Sequence, residues 1–112
     1  MQLHIIETGF FKLDGGAMFG VVPKSIWQKT NPPDDRNLCT WAMRCLLLED
    51  GDKLILVDNG IGTKQDEKFL SHYYLHGDVD LIKSIHNAGF SESDITDMFL
   101  THTLFPYTML FR

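Results

Sequence analysis

Hydrophobic positions form their clearest pattern in the middle of the chain, where they predict a β-hairpin. Two strand-like runs, residues 38–49 and 53–58, flank the dipeptide Asp50-Gly51. Asp-Gly between two such runs is the strongest short-range hairpin signal, because a type I′ turn needs positive φ at both central positions. Residues 46–48 and 54–57 are apolar on both faces of the predicted strands. This pattern indicates a sheet that is covered on both sides.

Shorter patterns predict the remaining elements. Residues 78–88 are expected to be a helix, because Leu81, Ile82 and Ile85 recur at helical spacing and Gly89 follows where a left-handed C-cap is usual. The other expected elements are strands at residues 3–7 and 10–13, a helical turn opened by Pro23 and ending at Trp27, a helix over residues 64–74, and a strand over residues 95–101 that ends at His102.

Composition and charge fit one small globular domain. The chain has 112 residues, of which 44% are hydrophobic and 22% charged. Its 10 basic and 15 acidic residues give a net charge of −5 without a basic stripe, so we expect no nucleic-acid partner. No run approaches the roughly 18–20 apolar residues of a membrane helix, and the N-terminus lacks the basic region of a secretory signal. We therefore expect no membrane partner.

The two cysteines indicate a reducing compartment. Cys39 and Cys45 are six positions apart in one predicted strand. A rise of about 3.3 Å per residue places them beyond disulfide reach. Free, buried thiols fit a reducing environment, so the predicted location is cytoplasmic.

Two other groups of residues allow a functional interpretation, but in each case a structural interpretation is favoured. His72 and His76 have helical i, i+4 spacing and could share a face. They lack the glutamate of a His-Glu-x-x-His motif, which argues against a zinc site. Gly60 and Gly62 predict a turn, because a phosphate-binding loop needs more glycines or a lysine.

Three segments of the chain resemble segments of a known enzyme family, in the same order. Residues 16–24 read Gly-Ala-Met-Phe-Gly-Val-Val-Pro-Lys, residues 54–60 read Leu-Ile-Leu-Val-Asp-Asn-Gly, and residues 90–102 end in Phe-Leu-Thr-His. They resemble, in turn, the opening of a lactonase-like branch of the metallo-β-lactamase-fold hydrolases, the strand-Asp-Thr-Gly signature of that family, and the segment before its His-x-His-x-Asp-His metal motif. Asn59 stands where threonine is commoner.

The resemblance implies an α/β fold in the four-layer αββα style of that family. Residues 1–102 would form the N-terminal part of such a domain and contribute one sheet with its helices. Residues 103–112 are an apolar tail with neither strand alternation nor helical spacing, and we expect this tail to be non-native. The expected architecture is a partial metallo-β-lactamase sandwich, the N-terminal half only, truncated inside its metal motif.

The family's metal motif is retained only at its first position. His102 matches the first histidine and would be a metal ligand in the intact protein, where the resemblance implies two zinc ions. Leu104, Pro106 and Tyr107 stand where the second histidine, the aspartate and the last histidine belong. The resemblance gives Asp58 a structural role beside the site, and no catalytic residue is assigned. We therefore expect this chain by itself to be inactive.

Two functional hypotheses follow. The first is a zinc-dependent hydrolase of a small molecule, and the resemblance favours a lactone or other ester-type substrate. The second is a non-catalytic fragment, or a sequencing or assembly artefact, with at most a binding role. The abrupt departure from the family pattern after His102 is typical of a frameshift or misassembled read, since gradual loss of activity would replace ligands and keep the surrounding strand. The sequence does not predict an oligomeric state.

Overall fold

The computed structural model describes residues 1–62 and 66–101, which form a four-stranded sheet with short helices. The strand order is β1-β2-β3-β4, with antiparallel pairing of the first three strands and parallel pairing of β3 with β4. The elements are β1 (Gln2–Asp14), α1 (Gly15–Phe19), α2 (Lys24–Trp27), β2 (Leu38–Asp50), β3 (Lys53–Val57), α3 (Glu67–Ser71), α4 (Leu81–Asn87), a 3₁₀ turn (Glu92–Asp94) and β4 (Asp97–Phe99).

The two strands predicted at residues 3–7 and 10–13 are one strand, β1, with a β-bulge between Glu7 and Phe10. Gly9, with a φ of 110°, occupies the bulge. At this point residue 76 pairs with β1: the Phe10 N–H donates to the His76 carbonyl over 2.7 Å, and the His76 N–H donates to the Phe10 carbonyl over 2.9 Å. A bulge bends a strand without ending it. The sequence indicated a break at Gly9, but β1 therefore pairs with β2 on both sides of this glycine.

The predicted hairpin is confirmed as β2 and β3, but its turn differs from the prediction. Asp50 pairs with Lys53, so the central residues are Gly51 and Asp52. Of these two, only Gly51 has a positive φ, at 61°. A type II′ turn has glycine with positive φ at its first central position and a negative φ at its second. The predicted type I′ turn centred on Asp50-Gly51 is therefore wrong.

The helix predicted over residues 78–88 is confirmed as the shorter α4. Its N-cap is Asp80, whose carboxylate accepts a hydrogen bond from the Lys83 N–H over 2.8 Å. This bond satisfies a backbone donor that the first turn leaves open, so the helix begins after Asp80. Gly89 follows the helix with a φ of 94°, as the sequence indicates.

The helix predicted over residues 64–74 is shorter in the structure. It is α3, capped by Asp66, which accepts from the Phe69 N–H over 2.7 Å. His72 is its C-cap residue, and Tyr74 has a positive φ of 49°, so the helix does not continue to the predicted end. Within residues 1–62 and 66–101, no helix is long and apolar enough to span a membrane.

The hydrophobic core lies between one face of the sheet and α4. Its buried members are Ile6, Cys45, Leu47, Leu54, Leu56 and Ile85, with Leu81, Ala88, Phe90 and Ile95 packed against them. Ser84 in α4 also donates a hydrogen bond to the carbonyl of Glu7 in β1. The helix is therefore fixed to the sheet by apolar packing and by one polar contact beside the bulge.

The opposite face of the sheet is apolar and open to solvent in the described part of the chain. Strand register places two rows of side chains on this face, which we call the open face: Leu3, Leu48 and Ile55, then Ile5, Leu46, Val57 and Phe99. Leu3, Ile5 and Phe99 are 64%, 72% and 62% exposed, while the other four are half-buried. The sequence predicted a sheet covered on both sides, and the described residues cover only one.

A second, aromatic cluster fixes α1 and α2 against the far end of β1 and β2. The rings of Phe19 and Trp27 stack with centroids 4.8 Å apart, and Phe19 also lies 5.6 Å from Trp41. A side chain at Gly15 would overlap the Trp27 ring, so only glycine lets α1 approach so closely. The predicted helical turn after Pro23 is confirmed as α2, with Trp27 buried.

Leu56→Ala is expected to lower the free energy of unfolding by about 2–5 kcal/mol, because Leu56 is fully buried beneath α4 and its truncation leaves a cavity. Ile26→Ala is the control, since Ile26 is 59% exposed on α2, and it should cost about 0.5 kcal/mol or less. Urea unfolding measures both. Equal losses for the two variants would contradict the assignment of the core.

Asp34 is expected to make stability depend on acid pH. The N–H of Leu38 and then that of Arg36 hold the pKa of the Asp34 carboxyl below its usual range, and Lys12 acts in the same direction. A lowered pKa gives a stabilising contribution at neutral pH that is lost as the pH falls below about 4. Asp34→Asn should flatten the acid limb of stability measured by urea unfolding against pH. Asp35→Asn, a change at the exposed neighbouring residue, should leave that limb as it is.

Candidate functional site

The candidate site lies where β3 and β4 end side by side. The two strands are parallel, with Ile55 opposite Asp97 and Val57 opposite Phe99. Parallel strands bring their carboxyl ends to the same edge of a sheet, where ligands bind in open α/β sheets. The residues that follow the strands, Asp58 and Thr101, are therefore neighbours although 43 positions separate them in the chain.

Asp58 joins the two strand ends through hydrogen bonds. One carboxylate oxygen accepts from the Thr101 N–H over 2.9 Å, and the Thr101 hydroxyl lies 2.8 and 3.0 Å from the two oxygens. The Asp58 N–H donates to the carbonyl of Phe99 over 2.9 Å. Asp58 has a φ of 63°, a conformation that aspartate tolerates better than most residues. This contact fixes the path of the chain at the residue directly before His102.

The turn after Asp58 packs against the bulge of β1. Gly60 has a φ of 71°, and a Cβ added to it would lie 2.9 Å from the hydroxyl oxygen of Thr8. Thr8 in turn donates from that hydroxyl to the carbonyl of Met43 in β2 over 2.9 Å. Gly60 and Gly62 both have positive φ, and the glycine at position 60 is required by a close approach to the sheet.

A cavity of about 220 Å³ opens beside this turn. Its polar lining comes from Arg44, Asp58 and Asn59. Arg44 also forms a 2.8 Å ion pair with Glu7 on the neighbouring strand. Asn59 is buried, with an exposed fraction of 7%. The remaining lining is mainly apolar: Phe11, Ala42, Met43, Cys45, Ile61 and Leu100. The cavity has the size and mixed lining suited to one small, largely apolar group.

Neither cysteine has the chemistry of a nucleophile. Burial, and then the nearby charge of Asp58, raise the pKa of the Cys45 thiol to about 11. Burial, and then the charge of Asp34, raise the pKa of Cys39 as well. Both thiols are free and buried, as the sequence predicts, and each stays protonated at neutral pH.

The three candidate histidines are His72, His76 and His102. His102 lies outside the described residues. His72 and His76 do not share a helix face, because α3 ends at Ser71 and His76 pairs with β1. The His76 Nδ1 lies 2.7 Å from the carbonyl of Tyr74, and the ring stacks on Phe10 at 5.6 Å. The premise of a shared helix face for these two histidines is therefore wrong.

The described residues do not by themselves fit a zinc ion. Among residues 1–62 and 66–101, no three His, Cys, Asp or Glu side chains cluster in a way that could hold a metal. Both carboxylate oxygens of Asp58 are already hydrogen-bonded to Thr101. Asp58 is thus bonded to the segment that directly precedes His102.

Sequence reasoning singled out Asp58 but missed its partner. Thr101 donates its N–H and hydroxyl to the Asp58 carboxylate, and Thr8 is the residue that Gly60 approaches closely. The only sequence signal for Thr101 is a hydroxyl directly before the first motif histidine. Thr8 has a weaker signal, a polar residue beside the glycine of the bulge.

Two solved structures have this arrangement of strands and helices. A probable metal-dependent hydrolase from Staphylococcus aureus superposes with a TM-score of 0.84 and 31% identity, over 95% of this chain and 39% of that one. AidC, a dizinc quorum-quenching lactonase solved with a product, superposes with a TM-score of 0.62 and 30% identity, over 91% of this chain and 33% of that one. Both are structures of the metallo-β-lactamase type. Over the residues that superpose, the chain has the fold of one part of a metallo-β-lactamase-type structure.

The chain spans between a third and two fifths of the two structures that it matches. The partial fold predicted from the sequence is therefore confirmed, as a mixed α+β arrangement that matches one part of those larger structures. No protein-family model matches the chain, and no curated protein matches it significantly.

Asp58→Ala is expected to lower the free energy of unfolding by about 1–3 kcal/mol, because the Thr101 N–H and hydroxyl lose a charged acceptor. Hydrogen exchange should show reduced protection of the Thr101 amide. Asp58→Asn should have a smaller effect, since asparagine also tolerates the left-handed conformation and keeps an acceptor oxygen.

The control for this pair is Asp52→Ala, a change at an exposed aspartate in the β2–β3 turn. It should leave the protection of Thr101 unchanged. If Thr101 is protected equally in Asp58→Ala and in the unaltered chain, Asp58 does not position the strand end.

Proposed function

We propose that this chain carries the first strand-end segment of a metal-dependent hydrolase site of the metallo-β-lactamase type. The contact between Asp58 and Thr101 supports this most directly, because it holds the chain in place one residue before His102. His102 matches the first histidine of the family's metal motif. A fixed strand end is what a histidine needs in order to meet a metal in a defined orientation.

Zinc is the proposed metal of the intact protein, in agreement with the dizinc lactonase that the chain resembles in structure. His102 would be a ligand, and bound zinc would supply a hydroxide at neutral pH. Leu104, Pro106 and Tyr107 offer neither imidazole nor carboxylate at the other positions of the motif. We propose that the chain as it stands lacks a complete site and has no hydrolase activity of its own.

A lactone or other small ester is the proposed substrate class. One of the two matched structures is a quorum-quenching lactonase, and the cavity beside Asp58 is small and mainly apolar. Arg44 and Asn59 would be the polar groups in that lining. A small molecule, and not nucleic acid or membrane, is the partner that this lining and the net charge of −5 favour.

The location that we propose is cytoplasmic. Cys39 and Cys45 are free and buried in the structure, which suits a reducing compartment.

A non-catalytic role is the second candidate. The observation that favours it is that Leu104, Pro106 and Tyr107 replace three motif residues directly after a segment that matches the family up to His102. In this case the chain could act only by binding, through the apolar face that the described residues leave open.

A test of the metal site compares the unaltered chain with a triple variant, Leu104→His with Pro106→Asp and Tyr107→His. The unaltered chain should bind less than about 0.1 equivalents of zinc after dialysis, whereas the triple variant should bind up to about one equivalent, because the added ligands complete the spacing that zinc requires. Atomic absorption of the purified proteins measures both.

The control variant adds the same residue types at other positions: Thr103→His, Thr108→Asp and Met109→His. It should bind no more zinc than the unaltered chain. Full occupancy of the unaltered chain would contradict the incomplete site, and equal uptake by both variants would contradict the motif register.

Activity is tested on the product of the source gene. The DNA is read from the Phe99 codon past the Arg112 codon, and any longer product is assayed with lactones in the presence of zinc. A frame that continues as His-x-His-x-Asp-His, together with lactone hydrolysis, supports the proposal. A confirmed tail without hydrolysis supports the binding role.

A further inference from the structure

A second cavity lies on the helix side of the sheet, between the bulge of β1 and the start of α4. Its volume is about 210 Å³, and the described part of its lining comes from β1, β2, the turn after Asp58 and the connection that leads into α4. Leu81, which packs against the core in α4, is part of that lining, so this cavity does not lie on the open face. Pockets for drug-sized molecules have roughly 300–1,000 Å³, so the occupant of this one is smaller.

The wall of this cavity at the bulge is held by close backbone contacts. Phe10 and His76 exchange two backbone hydrogen bonds of 2.7 and 2.9 Å, and their rings stack at 5.6 Å. A Cβ at Gly9 would lie 3.1 Å from the His76 carbonyl oxygen, and one at Gly77 would lie 3.2 Å from the Phe10 ring. The two glycines let the connection pack directly on the strand, so the cavity is formed before a ligand arrives.

Asn59 gives this cavity a buried polar group without a partner. Its exposed fraction is 7%, and no hydrogen bond joins its side chain to another group of residues 1–62 and 66–101. Asn59 also lines the cavity beside Asp58, so its amide forms part of the wall between the two. A buried amide without a hydrogen bond is unfavourable, so a ligand that supplies this bond is favoured over an apolar one of the same shape.

Two further polar groups of the lining can only accept hydrogen bonds from a ligand. The Thr8 hydroxyl already donates its proton to the carbonyl of Met43 over 2.9 Å. The His76 Nδ1 lies 2.7 Å from the carbonyl of Tyr74. A carbonyl oxygen can only accept, so Nδ1 carries the ring proton and Nε2 is left as an acceptor.

Asp80 adds a negative charge to these acceptors. Its carboxylate uses one oxygen to cap α4, accepting from the Lys83 N–H over 2.8 Å. The described lining contains no lysine or arginine, and its larger side chains are apolar: Phe10, Met43, Ile61, Leu75, Val79 and Leu81. An ammonium group has three donors, one positive charge and no acceptor, so it complements both the acceptors and the charge.

We propose that this cavity binds a small organic amine in its protonated form. The ammonium group lies toward Asn59, Thr8 and Asp80, and the hydrocarbon part lies against the apolar lining. The proposal does not rest on the hydrolase proposal. Amine binding and zinc uptake by the triple motif variant are measured separately, so either can fail without the other.

The experiment is an amide NMR titration of the full 112-residue chain with three molecules of one carbon skeleton: isopentylamine, isopentanol and isovalerate. Isopentylamine should shift the Gly60 and Gly77 amides along a saturating curve, with a dissociation constant in the millimolar range that is usual for so small a ligand. Isopentanol should bind at least about 10-fold more weakly, because it has one donor and no charge. Isovalerate should give no saturable shift, because its carboxylate would face acceptors.

Asp80→Asn tests the charge and keeps the helix cap, since asparagine and aspartate are equally good N-cap residues. It should weaken the binding of isopentylamine by about 5-fold or more and leave that of isopentanol within about twofold. Asp78→Asn is the matched control. Asp78 is an exposed aspartate outside the lining of this cavity, so its replacement changes the net charge equally and should leave isopentylamine binding within about twofold.

Asn59→Leu tests the buried amide, because it replaces the amide by an apolar side chain of similar size. It should weaken the binding of isopentylamine by about 10-fold. Circular dichroism checks that this variant keeps its fold, and the two aspartate variants test the site independently of that result.

Each part of the proposal has a result that would overturn it. No saturable shift at Gly60 or Gly77 with isopentylamine would show that the cavity does not bind an amine. Isovalerate that binds as tightly as isopentylamine would contradict the assignment of the acceptors. Equal weakening by Asp80→Asn and Asp78→Asn would show that only the net charge attracts the amine, and unchanged binding in a folded Asn59→Leu chain would remove the amide from the site.

Discussion

The parallel pairing of β3 with β4 is the contact on which both the fold and the site depend. Parallel strands cannot be joined by a tight turn, so the chain has to leave the sheet after Val57 and return at Asp97. The connection contains α3 and α4, and α4 supplies Ile85 to the core. The same pairing brings Asp58 beside Thr101. One contact between two short strands therefore determines which face of the sheet is buried and where polar groups gather.

Local sequence signals predicted most of the helices and strands, but fewer of the residues at which they begin and end. The hairpin, the cap at Gly89 and the helical turn after Pro23 depend on neighbouring residues, and the structure confirms them. The predicted start of the helix over residues 78–88 was wrong because the Asp80 side chain accepts from the Lys83 N–H, so the helix begins after Asp80. The merging of the first two strands depends on pairing with β2 and on the contact with His76, which no local pattern encodes.

The sequence predicted one residue of the site, Asp58, and neither its partner Thr101 nor the geometry that joins them. Asp58 stands out in the sequence as the end of an apolar strand, but its positive φ and its bonds to Thr101 require a strand that lies 43 positions further on. For His72 and His76 the spacing in the sequence implied a shared helix face. They do not share one, because α3 ends at Ser71. His102, which the resemblance makes a metal ligand, lies outside the described residues and stays a prediction, as does the structural role of Asp58.

The order in which the chain is synthesised gives the Asp58 contact a temporal consequence. β1, β2 and β3 are complete once Val57 has been made, and each pairs with its neighbour in sequence. Thr101 is made 43 residues after Asp58, which corresponds to roughly 2–9 s at ribosomal rates of about 5–20 residues per second. During that interval the left-handed backbone at Asp58 has no hydroxyl or N–H from Thr101 to stabilise it, and the β4 side of β3 has no partner strand. The meander can therefore form during synthesis, while the strand-end arrangement is completed only after β4 arrives.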